Sequence, residues 1–178
     1  MALRALPLAQ VYRLLEPGPV VLVSTARAGR ADLMAMSWHT MMEFEPPLIG
    51  CVMSASHLSY DNVLATRECV IAIPTVEIAK QVVGCGNASG RTVDKFARFG
   101  LTALPASRVR APLVAECYAS LECRLADTTL ARKYNFLVLR VVQAWIDPAR
   151  KHPRTLHHMG RGLFMVAGRR LRLPSRMK

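Results

Sequence analysis

Hydrophobic residues along this chain fall mostly into short runs with the length and β-branched content of strands. A run at residues 20–26 leads into a turn at residues 27–30, and a Met-rich run at residues 33–43 follows it. The remaining predicted strands are residues 48–53, Glu68–Ile73, residues 114–126, Phe136–Ile146 and a final hairpin at residues 164–173 that turns at Gly168. So many strands at hairpin spacing favour a barrel over a doubly wound parallel sheet.

Helical spacing is confined to short segments between these strands. Leu8, Val11, Leu14 and Leu15 predict a helix in the N-terminal segment 1–17. Further short helices are predicted at residues 60–66, 77–83 and 93–99. The chain is therefore predicted to be mainly β with short α inserts, in a single domain over residues 1–178.

The composition fits a packed globular protein. Hydrophobic residues make up 52% of the 178 residues and charged residues 20%, which excludes a disordered chain. No apolar run approaches the roughly 18 residues that a membrane span requires, so no membrane partner is expected. The five cysteines are odd in number and scattered, which favours reduced thiols and a cytoplasmic location.

The net charge of +12 is concentrated at the C-terminal end. The basic segment 148–178 contains nine of the 24 Lys and Arg residues and no acidic residue. These side chains could bind nucleic acid, cover a solvent-facing hairpin or subunit interface, or hold an anionic ligand. No aromatic platform is interleaved with them, so nucleic acid is not the expected partner.

The Gly-rich stretch at residues 84–92 does not match a nucleotide-binding loop. A Walker loop ending at Gly90 would require Gly at position 85 and Lys at position 91, where this chain has Cys85 and Arg91. A dinucleotide fingerprint would follow a strand, whereas this stretch follows a predicted helix. The stretch is predicted to be a flexible surface loop.

The histidines do not indicate a metal site. His157 and His158 are adjacent, so on a strand they face opposite sides. His152 and His157 have a spacing that zinc sites use, but no Cys-x-x-Cys pair completes such a site. No metal is expected, and surface or cavity histidines remain the interpretation.

The most informative segments follow one another in a recognisable order. They begin at residues 31–40, 44–53, 54–63 and 66–74, and continue with Gly90, Asp94-Lys95-Phe96, Ala111-Pro112-Leu113, Glu122-Cys123, Lys133-Tyr134-Asn135-Phe136, Val141-Val142-Gln143-Ala144-Trp145 and residues 157–164. This order resembles the flavin reductase-like family, most closely its flavoredoxin-type branch, over roughly residues 18–178. The resemblance implies an FMN-binding split β-barrel, which is a homodimer with FMN near the subunit interface.

The resemblance also implies which residues bind the cofactor. They are Ala35, Met36, Ser37, Trp38, His39, Thr40, Cys51, Val52, Met53, Ser54, Ser56, Ser59 and Lys95. Trp38 and the methionines can pack against a flavin ring, since a flavin needs a flat apolar slot. The serines stand at the start of a predicted helix, where an anion is favoured, although such serines could also serve only to cap that helix. Lys95 would supply a positive charge for the phosphate or for the reduced flavin.

A second group of residues is expected to contact the substrate. It consists of Tyr134, His157, His158 and Phe164. Asp32 and Tyr134 depart from the family, whose members often have Asn and His at these places, and these changes bear on substrate choice and NAD(P)H use. No proton donor is assigned, and the nearest catalytic candidates are His39 and Tyr134.

The resemblance implies hydride transfer from NAD(P)H to FMN, and from there to free flavin or a redox partner. Two alternatives remain open: the same fold with tightly bound FMN acting on a specific organic substrate, and a non-catalytic module that binds nucleic acid or another polyanion. Part of the basic segment, including Arg154 and Arg161, is expected to border the flavin and nicotinamide site.

Overall fold

The computed structural model describes residues 3–175, and most of its strands belong to a single antiparallel sheet. The strands are β1 (Arg4–Ala5), β2 (Val21–Arg27), β3 (Arg30–Met36), β4 (His39–Phe44), β5 (Pro47–Val52), β6 (Glu68–Ile73), β7 (Ala103–Leu104), β8 (Leu113–Val114), β9 (Ala119–Asp127), β10 (Phe136–Ile146), β11 (Leu156–Gly160) and β12 (Leu163–Val166). The helices are α1 (Tyr12–Leu15), α2 (Leu58–Thr66), α3 (Ala79–Asn87), α4 (Lys95–Phe99) and α5 (Ala131–Tyr134), with 3₁₀ turns at Leu8–Gln10 and Val76–Ile78.

The order of the strands forces the sheet to curl on itself. Along the sheet the order is β3-β2-β6-β9-β10-β5-β4, and β1 pairs with β10. β3 and β4 are therefore at opposite edges, yet only Ser37 and Trp38 separate them in the chain. Because the three residue steps from Met36 to His39 can span at most about 11 Å, the edges must approach each other at this point. The result is a barrel that is split between β3 and β4.

Alternate residues of the strands pack into two separate hydrophobic clusters. Val21, Val23 and Ile71 point into the barrel, where they pack with side chains from β5, β9 and β10. Leu22 and Val70 point outward, into a second cluster with residues of α3 and α4. Strands β2 and β6 are thus buried on both faces, which explains why their sequences are continuous hydrophobic runs rather than alternating ones.

Three of the predicted strands need correction. The predicted strand at residues 114–126 is interrupted, because β8 ends at Val114 and β9 begins only at Ala119. The predicted strand at residues 33–43 is two strands, because the chain passes from one sheet edge to the other at Ser37 and Trp38. The final hairpin was predicted at residues 164–173, but it joins β11 to β12 and turns at Arg161-Gly162. Both of these turn residues have positive φ, 49° and 76°, as the common two-residue hairpin turn requires.

The two ends of the chain contain little regular structure. The N-terminal segment contributes β1 and α1 as well as a 3₁₀ turn, so the helix predicted there is short. Residues 167–175 form no strand or helix. Of the nine basic residues counted above, Arg176 and Lys178 lie outside the described residues, as do Met1 and Ala2 at the other end. Among residues 3–175, no helix has the length and apolar character needed to cross a membrane.

Candidate functional site

Three adjoining cavities run along β3 and meet at Ala35, which lines all of them. Their volumes are about 330, 270 and 280 Å³, and we call them the apolar, polar and hairpin cavities. Together they form a groove beside the split in the barrel. This is a size that binding sites for small molecules commonly have.

The apolar cavity lies where β3, β5 and the turn after α5 converge. Its lining residues are Met34, Ala35, Met36, Ser37, Trp38, Val52, Met53, Ser54, His57 and Asn135. Two backbone bonds fix its shape, from Val52 N–H to the Trp38 carbonyl and from Met53 N–H to the Asn135 carbonyl, both 3.0 Å long. The cavity combines methionine and indole surfaces with nearby backbone polar groups, and a flat heteroaromatic ring requires both.

The polar cavity begins at the N-terminus of α2. The Ser54 and Ser56 hydroxyls lie 2.9 Å apart in the exposed turn before this helix, and His57 is its N-cap residue. The first backbone N–H groups of a helix have no partner within it and carry the positive end of its dipole. This end of the groove is therefore suited to an anionic group.

A buried ion pair forms the floor of the polar cavity. The Lys95 ammonium hydrogen-bonds the Leu33 carbonyl and lies 3.5 Å from Asp32 Oδ1, and the two residues are only 4% and 3% exposed. The Ser59 hydroxyl donates to Asp32 Oδ2 at 2.8 Å. The positive charge of Lys95, expected to face a phosphate, is therefore matched by a carboxylate of the protein itself.

The Gly-rich stretch lies on the surface as predicted, but it is not a loop throughout, and its Gly90 is buried against this pair. Its first half belongs to α3, and Arg30 then donates to the Gly90 carbonyl at 2.7 Å. Arg91 is held by Asp61 at 2.7 Å. Gly90 is required here, because a Cβ at that position would lie 1.9 Å from Asp32 Oδ1.

The hairpin cavity lies between α3 and the β11–β12 hairpin. His158, Gly162 and Phe164 line it from the hairpin side, and Val82 and Val83 from α3. The rings of His158 and Phe164 are in contact, with their centroids 5.2 Å apart. The basic segment thus reaches the groove through these residues and not through its arginines.

Arginines of the basic segment have other surroundings. Arg150 bonds Glu77, Asp147 and Thr75. Arg154 and Arg161 are exposed and do not line any of the three cavities. The structure therefore gives no support to a direct role of Arg154 and Arg161 in the groove.

Five of the predicted site residues do not line the groove. They are His39, Thr40, Cys51, Tyr134 and His157. The Cys51 side chain is in the barrel core, and burial raises the pKa of its thiol. Thr40 and Tyr134 are exposed, and the His157 ring bonds the Gly18 carbonyl and Thr155.

His39 is held away from the groove by its own hydrogen bond. Its Nε2 lies 2.7 Å from the Pro19 carbonyl, so Nε2 is the protonated nitrogen. Burial lowers the pKa of His39 below the ordinary 6.5, and the bond to Pro19 offsets only part of this effect. The ring is thus held by the backbone and lies outside the three cavities.

Several lining residues were missed by the sequence-based prediction. Met34, Cys85, Asn87 and Asn135 line the cavities, as does His57, whose Nδ1 lies 3.0 Å from Met34 Sδ. Asn135 has a φ of 55°, a left-handed conformation that Asn tolerates well at a helix end. The preference of Asn for this conformation is the local sequence feature that could have pointed to Asn135. Among the described residues, no three His, Cys, Asp or Glu side chains come together as a metal site.

Comparison with known sequences identifies related proteins. The family model for the flavin reductase like domain matches residues 13–166. The uncharacterized protein YddH of Escherichia coli (strain K12) is 34% identical over 174 residues, which cover 89% of this chain and 92% of that protein. The FMN reductase (NADH) RutF of Bradyrhizobium diazoefficiens is 27% identical over 122 residues, covering 68% of this chain and 65% of RutF.

Solved structures share the fold. An FMN-binding domain of a flavin reductases-like enzyme from Shewanella baltica OS155 superposes with a TM-score of 0.89 and 28% identity, covering 97% of this chain and 98% of that one. Flavoredoxin of Desulfovibrio vulgaris (Miyazaki F) gives a TM-score of 0.79 with 23% identity, covering 88% and 90% of the two chains. The split β-barrel expected from the sequence is confirmed.

Proposed function

Because the chain belongs to the family of flavin reductase like domains, we propose that it is an oxidoreductase that binds FMN in the groove along β3. The electron donor in this proposal is NADH or NADPH, and the acceptor is free flavin or a small redox partner. The observation that carries the proposal is the row of three cavities, the polar, apolar and hairpin cavities, which meet at Ala35.

The described residues fit the parts of FMN. The apolar cavity would hold the ring system between Met36, Trp38 and Met53, with backbone groups at its edge. The polar cavity would take the ribityl chain and the phosphate, near Ser54, Ser56 and the start of α2. Asp32 Oδ1 lies 3.5 Å from the Lys95 ammonium and accepts no hydrogen bond from the described residues, so it leaves an acceptor at the polar cavity for a hydroxyl group of the ligand.

The chemistry would come from FMN, which when bound supplies a ring that takes up a hydride and releases electrons. The protein's part is to orient and shield the reactants. Met34, Met36 and Val52 keep water from one side of the apolar cavity. His158 and Phe164 present an imidazole and a phenyl ring beside it, where a nicotinamide or another flat substrate can stack.

Two relatives support this assignment. RutF of Bradyrhizobium diazoefficiens is named an FMN reductase that uses NADH, and the Shewanella baltica domain is described as FMN-binding. We extend both properties to this chain as proposals. A cytoplasmic location agrees with the five cysteines, which are all unpaired thiols.

We also propose that two copies form a homodimer that covers the open side of the groove. Trp38 is 71% exposed although it lines the apolar cavity, and Met159, Leu163 and Met165 on the hairpin are also more than half exposed. Exposed apolar side chains of this size commonly mark an interface. Sedimentation velocity of the wild type should give the mass of two 19.7 kDa chains. The double variant Met159→Glu/Met165→Glu should give the mass of one chain. A monomeric wild type would contradict the dimer.

The proposed activity can be tested with the purified protein. The absorbance spectrum after addition of FMN and gel filtration reports bound flavin, and oxidation of NADH and NADPH is then followed with and without excess FMN. Turnover that requires excess FMN identifies flavin as the substrate, whereas flavin that stays bound and turns over only with an organic acceptor identifies the alternative. Protein that retains no FMN and oxidises neither nucleotide would refute the proposal.

A variant at Ala35 tests whether this groove is the site. Ala35→Leu adds bulk where the three cavities meet and should weaken FMN binding by tenfold or more, about the effect of a severe steric conflict. Ala65→Leu, on the exposed end of α2, is the matched control and should bind FMN like the wild type. Equal affinities of the two variants would place the flavin elsewhere.

A further inference from the structure

A further cavity, separate from the three of the groove, lies on the outer face of β9 and β10. Its volume is about 640 Å³, and it is lined by Arg108, Arg124, Leu125, Ala126, Arg140 and Val142. We call it the arginine cleft. None of these residues lines the polar, apolar or hairpin cavity.

Two of the arginines face each other across neighbouring strands. Arg124 of β9 is the direct partner of Arg140 of β10 in the antiparallel register, and both side chains are exposed. Like charges placed directly opposite in a sheet destabilise it. The arrangement therefore costs stability unless a negative charge lies between the two guanidinium groups.

The third arginine reaches the cleft through a loop that a buried carboxylate holds in place. Glu122 is fully buried and accepts backbone N–H groups from Ser107, Arg108 and Val109, as well as the indole N–H of Trp145 at 2.7 Å. The Arg108 carbonyl in turn accepts a bond from Arg124 Nη2 at 3.3 Å. Arg108 is thus fixed beside the other two arginines.

No carboxylate of the described residues forms a salt bridge with this cluster. The salt bridges found between residues 3 and 175 involve Arg91, Lys95, Arg110 and Arg150, and none involves the three arginines of the cleft. Glu68 of β6 is the cross-strand partner of Arg124 on the side of β9 away from β10, but its carboxylate binds Arg110 at 2.8 Å. Glu122 is occupied by the loop. Within residues 3–175, the three guanidinium groups of the cleft thus form no salt bridge, and the two neighbouring carboxylates are bonded elsewhere.

We propose that the arginine cleft binds a small phosphate-bearing anion. Guanidinium groups bind phosphate oxygens in pairs of parallel hydrogen bonds, and three of them around one concave site suit a group with two or more negative charges. Leu125, Ala126 and Val142 give the cleft an apolar floor for the rest of such a molecule. A nucleic acid would instead require an extended basic stripe with aromatic side chains for the bases, and the cleft has neither.

Pyrophosphate is a suitable probe, and its binding can be measured by isothermal titration calorimetry at low salt. Arg124→Gln/Arg140→Gln should reduce the affinity at least tenfold, since hydrogen bonds to charged groups are lost. Two control variants should bind pyrophosphate like the wild type: Arg13→Gln, which changes an exposed arginine on α1, and Ser56→Ala, which changes the polar cavity. Equal affinity in all variants, or loss in Ser56→Ala alone, would overturn the proposal.

Thermal unfolding gives a second readout that is independent of any flavin activity. The wild type should melt at a higher temperature with pyrophosphate, because the anion relieves the repulsion between Arg124 and Arg140. The double variant should melt no lower than the wild type without pyrophosphate and should not respond to it. A double variant that still responds would overturn the proposal. So would a single-stranded oligonucleotide that binds the wild type more tightly than pyrophosphate does.

Discussion

Asp32 determines the electrostatic character of the polar cavity. Its carboxylate is buried beside Lys95 and accepts the hydroxyl of Ser59, so the charge of the lysine is balanced within the protein. A phosphate in this cavity would be attracted by the charge of Lys95 and repelled by that of Asp32. The helix N-terminus and the serines then carry most of the anion binding in the proposed site.

Replacing Asp32 should therefore change the preference between FMN and riboflavin. Asp32→Asn keeps an acceptor oxygen in place and removes the negative charge. At the distances within one cavity, the loss of repulsion should raise FMN affinity about three- to tenfold. Riboflavin, which has no phosphate, should bind with unchanged affinity.

Fluorescence titration with the two flavins measures this preference. Asp127→Asn, an exposed change at the end of β9, is the control and should leave both affinities as they are. The ratio of the two affinities is the informative quantity, because a general loss of stability would lower both. An unchanged ratio in Asp32→Asn would contradict the role assigned to this carboxylate.

The predicted cofactor-binding residues differ in how well the sequence alone identifies them. Ser54, Ser56 and Ser59 could be predicted because polar residues precede a helix, and the structure places Ser54 at the apolar cavity and Ser56 and Ser59 at the polar cavity. Cys51 and Thr40 could not be separated from their neighbours, since strand residues alternate between two faces and the sequence does not show which face is the groove. The local sequence pattern thus identifies the segments that form the groove. Which residues of those segments face the groove depends on the register of the sheet.

Strands β3 and β4 show the same limit at the scale of an element. The hydrophobic run at residues 33–43 does not show where one strand ends, because the break at Ser37 and Trp38 depends on closure of the barrel. The hairpin of β11 and β12 was misplaced because Gly168 is as good a turn residue as Gly162. Strands β6 and β10 were predicted with their observed bounds, since turn residues and proline delimit them.

Glu122 links β9 to the loop at residues 107–109 and to β10. Burial raises the pKa of its carboxyl group, but the hydrogen bonds from Ser107, Trp145 and Arg108 outweigh burial and hold the pKa below the ordinary 4.5. The folded state therefore favours the ionised carboxylate. Its stabilisation is present above the unfolded-state pKa and is lost as the pH falls through the lower pKa of the folded state.

Glu122→Gln should accordingly lower the free energy of unfolding by about 2–4 kcal/mol at pH 7, the loss expected for hydrogen bonds to a buried charged group. The difference from the wild type should shrink as the pH falls below about 4.5. Urea unfolding at several pH values measures both effects, with the exposed change Glu16→Gln as control. A Glu122→Gln variant as stable as the wild type at pH 7 would contradict this account.

Phe164 is the hairpin residue with the largest expected effect on activity. Its ring contacts His158 and faces the hairpin cavity, where the proposed function places the electron donor. Phe164→Ala should raise the KM for the nicotinamide nucleotide about tenfold through loss of an aromatic contact and its buried area. FMN binding should be unchanged.

Steady-state kinetics and FMN titration separate these two effects. Leu171→Ala removes a side chain that is 76% exposed and lies beyond the hairpin, so it serves as the control. An equal loss of FMN affinity and nucleotide affinity in Phe164→Ala would show that the hairpin supports the whole groove instead of the donor alone.

At the scale of the whole molecule, the charge is distributed differently from its distribution along the sequence. The excess in residues 148–178 drew attention to the basic segment, but Arg150 is neutralised there by Glu77 and Asp147. The cluster of arginines that makes no salt bridge among residues 3–175 is formed by Arg108, Arg124 and Arg140, all within the first 147 residues, whose net charge is small. Only the pairing of β9 with β10 brings them together, so a count of charges could not find the cluster.

The five thiols are all buried, and their reactivity reports opening of the whole molecule. Cys51, Cys69 and Cys123 lie in the barrel interior. Burial raises the pKa of Cys51, and the hydrogen bond between Cys69 and Cys123, together with burial, raises the pKa of Cys69. Burial also raises the pKa of Cys85, to about 11, but this residue lines the polar cavity. Thiolates are the reactive form of cysteine, so all of these groups should react slowly.

Ellman's reagent should therefore label fewer than one thiol rapidly in the native protein and all five in guanidinium chloride. Cys85 should be the first to react, since only local opening of the groove exposes it, and Cys85→Ser should remove that first phase. Cys117→Ser, which changes a buried cysteine outside the barrel interior and the groove, is the control and should leave the first phase in place. Bound FMN should slow the first phase by filling the groove. Rapid labelling of several thiols would mean that the barrel opens under native conditions, contrary to the tightly packed core described above.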